Sequence, residues 1–117
     1  LPDKDVLDLT RLQEAFEDDT AGIAELLEMA LETGKKHCAA LEAAIAAGDA
    51  PAVAKAAHGI KGSSGNIGAN RVMEIAARVD ARARTGDLTD AREEYAAIVA
   101  GYARVADEVR AYRESLT

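Results

Sequence analysis

The chemistry open to this chain of 117 residues is concentrated in one stretch, AAHGIKGSSGNIGAN, residues 56–70. It holds His58, one of two histidines, with Lys55 and Lys61 three residues to either side. At helical spacing both lysines are neighbours of the imidazole. A neutral imidazole is a good nucleophile near pH 7, because its reference pKa of about 6.5 leaves much of it unprotonated. Should it accept a phosphoryl group, a nearby lysine can meet the added charge with a charge-assisted hydrogen bond. Gly62, one turn on from His58, leaves room for a phosphate or a docking loop. The stretch carries four glycines, Gly59, Gly62, Gly65 and Gly68, in a chain rich in alanine. Inside a helix each costs about 0.8–1 kcal/mol relative to alanine, so their presence asks for a reason.

The elements that must position these residues are all helical, since no stretch alternates as a strand does. A short first helix is predicted over Thr10–Glu17, with Leu9, Leu12 and Phe16 apolar. Asp18-Asp19-Thr20 supplies an N-cap for a long second helix. Its stripe runs Ile23, Leu26, Leu27, Ala30, Leu31, Gly34, Cys38, Leu41 and Ile45 until Gly48-Asp49 ends it. Pro51 suits the first turn of a third helix, whose buried side is Val53, Ala57, Ile60, Ser64 and Ile67 as far as Gly65–Gly68. A fourth helix spans Ala69–Arg84 over Val72, Ile75, Ala76 and Val79. A fifth begins at Leu88 and carries Ala91, Tyr95, Ile98, Val99, Tyr102, Val105, Val109 and Tyr112. Short connections between long helices make neighbours antiparallel. The expected fold is all-α: an antiparallel up-down-up-down four-helix bundle with a short N-terminal capping helix, one domain over residues 1–117.

On the third helix the buried Ala57 and Ile60 turn His58 outward. One turn away on its stripe stand Ala54 and Gly62, and two turns away Pro51 and Gly65. The imidazole thus sits on a ridge of small residues flanked by Lys55 and Lys61. An inert surface histidine, with glycines that merely let helices pack closely, fits the same spacing.

Composition narrows the classes. Apolar residues make up 49% and aromatic residues only 3%, so small aliphatic side chains must build the core. The net charge of −7 argues against nucleic acid as partner. Residues 33–73 are locally basic, with Lys35, Lys36, Lys55, Lys61 and Arg71 against Glu42 and Asp49, which fits a small anionic target. Gly59-Ile60-Lys61-Gly62 matches the GXXG of KH domains, but that fold needs strands. No apolar run reaches the roughly 18–20 residues of a membrane span. Cys38 permits no disulfide within the chain, and with no signal peptide visible a cytoplasmic setting is expected. His37 and Cys38 point about 100° apart on a helix, without a second ligand pair, so no metal site is expected. No phosphate-binding G-x-x-x-x-G-K-[S/T] loop for ATP is present.

AAHGIKGSSGNIGA closely resembles the signature of histidine phosphotransfer (HPt) domains of two-component phosphorelays. Ala57, His58, Ile60, Lys61, Gly62, Ser63, Ser64, Ile67, Gly68 and Ala69 match it as they stand. ALEAAIAAGDAPAVAKAAH before it and RVDARARTGDL after it resemble the family too, so the likeness spans nearly the whole chain. The sequence departs at Ala30, where the family often has phenylalanine, at Val79-Asp80-Ala81, usually more acidic, and at Gly59.

The resemblance implies that His58 is the phosphoacceptor, supported by Lys61 and Gly62, with Ser63, Ser64 and Gly68 as structural signature positions. It implies a phosphocarrier that takes the group from a receiver-domain phosphoaspartate and passes it to another receiver. Partners would be response-regulator receiver domains and a sensor or hybrid histidine kinase. No cofactor is expected on this chain, Mg²⁺ belonging to the receiver. Lys55, Ala54 and Gly65 complete the expected docking surface, with Lys36, His37 and Arg78 at its rim, on a monomer. Direct phosphorylation by a kinase domain of a larger chain, or a bundle with an inert His58, are the alternatives.

Overall fold

The computed structural model describes residues 2–116. Five helices follow one another: α1 Thr10–Ala15, α2 Thr20–Ala47, α3 Ala50–Asn66, α4 Asn70–Arg84 and α5 Ala91–Glu114. They pack into a bundle of 45 × 21 × 20 Å. Among the described residues there is no strand, and no helix is long and apolar enough to cross a membrane.

The boundaries follow local chemistry. Asp19 caps α2 by accepting from the Gly22 amide at 3.1 Å, and Asp49 caps α3 by accepting from Ala52 at 3.2 Å. Between them Gly48 takes φ 66°, the left-handed conformation that ends a helix at least cost. α1 stops at Ala15, two residues short of the expected Glu17. Glu17 and Asp18 adopt φ values of 50° and 63°, which no right-handed helix can continue. α5 starts at Ala91 rather than Leu88. The Asp87 carboxylate accepts from the Thr89 amide at 2.9 Å and its hydroxyl at 2.6 Å, holding a turn there instead. Leu88 still packs against the core from that turn.

The four long helices pack in the cyclic order α2, α3, α4, α5. His58 meets Asp80 while Gly65 faces Met73, so α3 and α4 run in opposite directions. Arg82 reaches Asp90 and Glu94 while Gly101 abuts Val72, so α4 and α5 do the same. Leu27, Leu41, Ile60 and Ile98 are fully buried, each worth about 1.5–3 kcal/mol of apolar transfer. The segment before α1 adds core that the helical stripes do not foretell. Val6 and Leu7 are buried, and the Asp8 amide donates to the Gly68 carbonyl at 3.0 Å. That clasp requires glycine at 68, which has φ 78° and would drive a Cβ into the Asp8 carbonyl.

Candidate functional site

His58 stands on the outer face of α3, its side chain 63% exposed. It is not solitary. Its Nδ1 lies 3.3 Å from Oδ2 of Asp80 on α4. Asp80 is buried, and its other oxygen accepts from Arg84 Nε at 2.8 Å, one turn along the same helix. Burial raises the Asp80 pKa, but hydrogen bonds from Arg84 and His58 and the charges beside them outweigh it. The net shift is downward, so the carboxylate is ionised at neutral pH.

This pairing decides the histidine's chemistry. The ring nitrogen facing a carboxylate keeps its proton, leaving the other nitrogen with a free lone pair. With Nδ1–H donating to Asp80, Nε2 is the nucleophilic atom and points to solvent. Helical side chains lean toward the helix N-terminus, so the ring lies over the preceding turn. An open cleft of about 490 Å³ is there, lined by Pro51, Ala54, Lys55, His58, Ala83 and Arg84. Its positive side chains come from both helices.

The other expected residues sort themselves by contact. Lys55 lines the cleft and Ala54 is its buried floor, while Lys61 is exposed. Neither lysine forms an ion pair among the described residues. Gly62 faces open space: a Cβ added there would meet nothing within 4 Å. Gly65 instead serves packing, since its Cβ would come within 3.0 Å of Met73 Sδ on α4. Ser64 is buried and returns its hydroxyl to the Ile60 carbonyl at 2.6 Å, with Ser63 at 3.4 Å from the same oxygen. These serines close α3 on itself. Lys36 is exposed on α2.

Two rim residues need comment. The His37 ring lies on Gly59: a Cβ there would approach His37 Cε1 to 2.6 Å. Gly59 is thus a seat for the second histidine, which explains the unusual glycine after His58. Arg78 is not at the site. It lies about 200° round α4 from Asp80, and its Nε pairs with Glu94 on α5 at 3.6 Å. The α4 cation beside His58 is Arg84. Asp80 and Arg84 escaped the sequence reading because His58 seemed to face only solvent. The available signal was an acid at a position of α4 next to the buried Val79, followed by arginine one turn later. Among the described residues no cluster of three or more His, Cys, Asp or Glu side chains could hold a metal ion.

A family model described as Hpt domain matches residues 25–114. The chain belongs to the Hpt family. A solved structure of this family, histidine-containing phosphotransfer protein B (HptB) from Pseudomonas aeruginosa PAO1, superposes with a TM-score of 0.84. The two are 30% identical, and the match covers 97% of this chain and 95% of that one. A comparison with curated proteins returned no significant match. The all-helical fold of this Hpt protein is therefore that of a histidine phosphotransfer protein, a phosphocarrier of phosphorelays rather than an enzyme in the ordinary sense.

Proposed function

We propose that this Hpt protein accepts a phosphoryl group on Nε2 of His58 from a receiver-domain phosphoaspartate and passes it to another receiver. The observation that carries this reading is the exposed imidazole whose inner nitrogen is held by a buried, ionised carboxylate. In the forward step the Nε2 lone pair attacks phosphorus in line with the acyl phosphate bond. The N–P bond forms as the P–O bond breaks, and the bonding pair returns to the aspartate as carboxylate. No proton needs to move. The ring keeps its Nδ1 proton and becomes cationic, and the Asp80 carboxylate 3.3 Å away offsets that charge. The reverse step runs through the same atoms.

In this reading Lys55 and Arg84, which line the cleft, and the exposed Lys61 meet the phosphoryl oxygens, and bare Gly62 admits the receiver's surface. Lys36 and His37 border the contact from α2. The divalent cation that phosphoryl transfer uses belongs, in this reading, to the receiver's acidic site, and the chain needs no ATP site of its own. It works as a cytoplasmic monomer between response-regulator receivers and a sensor or hybrid kinase.

The test is phosphotransfer from a panel of labelled receiver domains to the purified protein, with His58→Gln beside it. Acid-labile label on the native protein and none on the variant is the expected result. Label that persists in His58→Gln would overturn the assignment and move the acceptor to His37.

A further inference from the structure

The side of α4 opposite Asp80 is also equipped. Arg71 and Arg78 both project there, about half a turn of the helix away from the His58 face. With Arg104 of α5 they rim a groove of about 320 Å³ between the two helices. Its floor is apolar, built from the buried Val6, Val72, Ile75 and Val105. Gly101 lets α5 close on α4 beneath it, since a Cβ there would come within 2.8 Å of Val72 Cγ2. Asp5 is the sole acid in the lining. Arg78 has the long contact to Glu94 at 3.6 Å, while Arg71 and Arg104 are exposed and form no ion pair among the described residues.

Three arginines around an apolar floor, on a protein of net charge −7, make a local inversion of the molecule's charge. We propose that this groove docks an acidic amphipathic helix of a partner protein. The spacing sets the pattern. Gly101 abuts Val72, so Arg104 is level with Arg71 at one end of the groove. Arg78 stands two turns further on, about 10.5 Å away. A partner helix with carboxylates at i and i+7 places one between Arg71 and Arg104 and the other at Arg78. Apolar residues at i+3 and i+4 then lie over Val72 and Ile75. Arginine suits such a rim because its planar fork grips carboxylate in two places. A flat anionic bilayer meets the rim without reaching the recessed floor. Because this groove and His58 lie on opposite faces of α4, the helix binds while the phosphoacceptor stays open. It would tether a partner and raise its effective concentration at the relay site. The inference stands on the groove alone and does not require phosphotransfer at His58.

The probe is a stapled helical peptide of about 18 residues with Glu at i and i+7 and Leu at i+3 and i+4. A second peptide carries Lys for Glu. Binding to the full chain is followed by amide chemical shifts and fluorescence anisotropy. The acidic peptide is expected to shift resonances of Arg71, Ile75, Gly101 and Arg104, and the lysine peptide to leave them in place. The double variant R71E/R104E, both at exposed positions, should lose about tenfold or more in affinity and keep its helical circular dichroism. His58→Gln should bind as the native chain does. Shifts that map elsewhere, no shifts at all, or equal binding by the double variant would overturn the proposal. So would anionic vesicles that bind the protein through the same arginines while the peptide does not.

Discussion

Replacing Asp80 by asparagine keeps the side chain's size and removes its charge, so it isolates what the carboxylate does for His58. Two contacts are altered: Arg84 Nε at 2.8 Å and His58 Nδ1 at 3.3 Å. A hydrogen bond to a charged group contributes about 1.5–3 kcal/mol when well shielded. The His58 contact is long and its ring 63% exposed, so about 1 kcal/mol is the fair value in the ground state. In the transition state the ring gains positive charge, and the contact strengthens to about 2 kcal/mol. Only the difference of about 1 kcal/mol acts on the barrier, which converts to a fall in phosphotransfer rate of about fivefold. The assay is rapid-quench transfer from a phosphorylated receiver, with the His58 tautomer read by nitrogen-15 NMR. Asp80→Asn should slow transfer and reduce the fraction protonated at Nδ1, with circular dichroism unchanged. A variant that transfers at the native rate with the native tautomer would refute the positioning role.

The same carboxylate gives a pH signature. Its folded pKa is depressed, so its stabilising contribution is complete above the unfolded value of about 3.9 and disappears as pH falls through the folded value. Urea unfolding across the acid range should show Asp80→Asn losing stability less steeply than the native chain, and parallel curves would contradict it. Gly62→Ala meets no neighbour within 4 Å and should stabilise the fold by about 0.8–1 kcal/mol in denaturant titration. The same variant should slow transfer if the receiver seats on that bare backbone. Gly59→Ala should gain that propensity only in a His37→Ala background, because a Cβ at 59 runs into the His37 ring at 2.6 Å. A double-mutant cycle with no coupling would show that the ring moves aside freely.

How far the sequence carried this reading depends on the kind of information each feature holds. The helices α2 and α3 were legible to within a residue or two, because caps, glycines and one apolar stripe all agreed. Val53, Ala57, Ile60, Ser64 and Ile67 are buried as their spacing demands. The left-handed turn at Glu17 and Asp18 was not legible, since no glycine marks it; local backbone bonds hold it, the Asp18 amide donating to the Gln13 carbonyl at 2.9 Å. The burial of Val6 and Leu7 was missed because a segment outside any helix has no period to read. At the site, His58 and its small-residue ridge were visible as a pattern within one helix. Asp80 and Arg84 were not, because they approach across two helices and only the rotation of α4 about its axis brings them to His58. Arg78 was misplaced for the same reason, as its level along α4 could be estimated from chain length but its azimuth could not.

On the proposed reading, the arrangement around His58 suits transit rather than holding. A carrier that bound its phosphoryl group in a caged pocket would stabilise the phosphorylated state and raise the barrier to onward transfer, since ground-state binding does not accelerate a step. Here the one fixed partner, Asp80, sits behind the ring and touches the nitrogen that does not react. Of the cations in front, Lys55 and Lys61 are exposed and form no ion pair among the described residues, so each contributes about 0–1 kcal/mol at most. Orientation is therefore rigid and phosphate binding is loose. On the same reading that division would let either receiver take the group, with the partner supplying the strong charge stabilisation at the moment of transfer. It would also account for glycine at 62, where a Cβ meets nothing within 4 Å: stability lost in the helix is returned as access to His58.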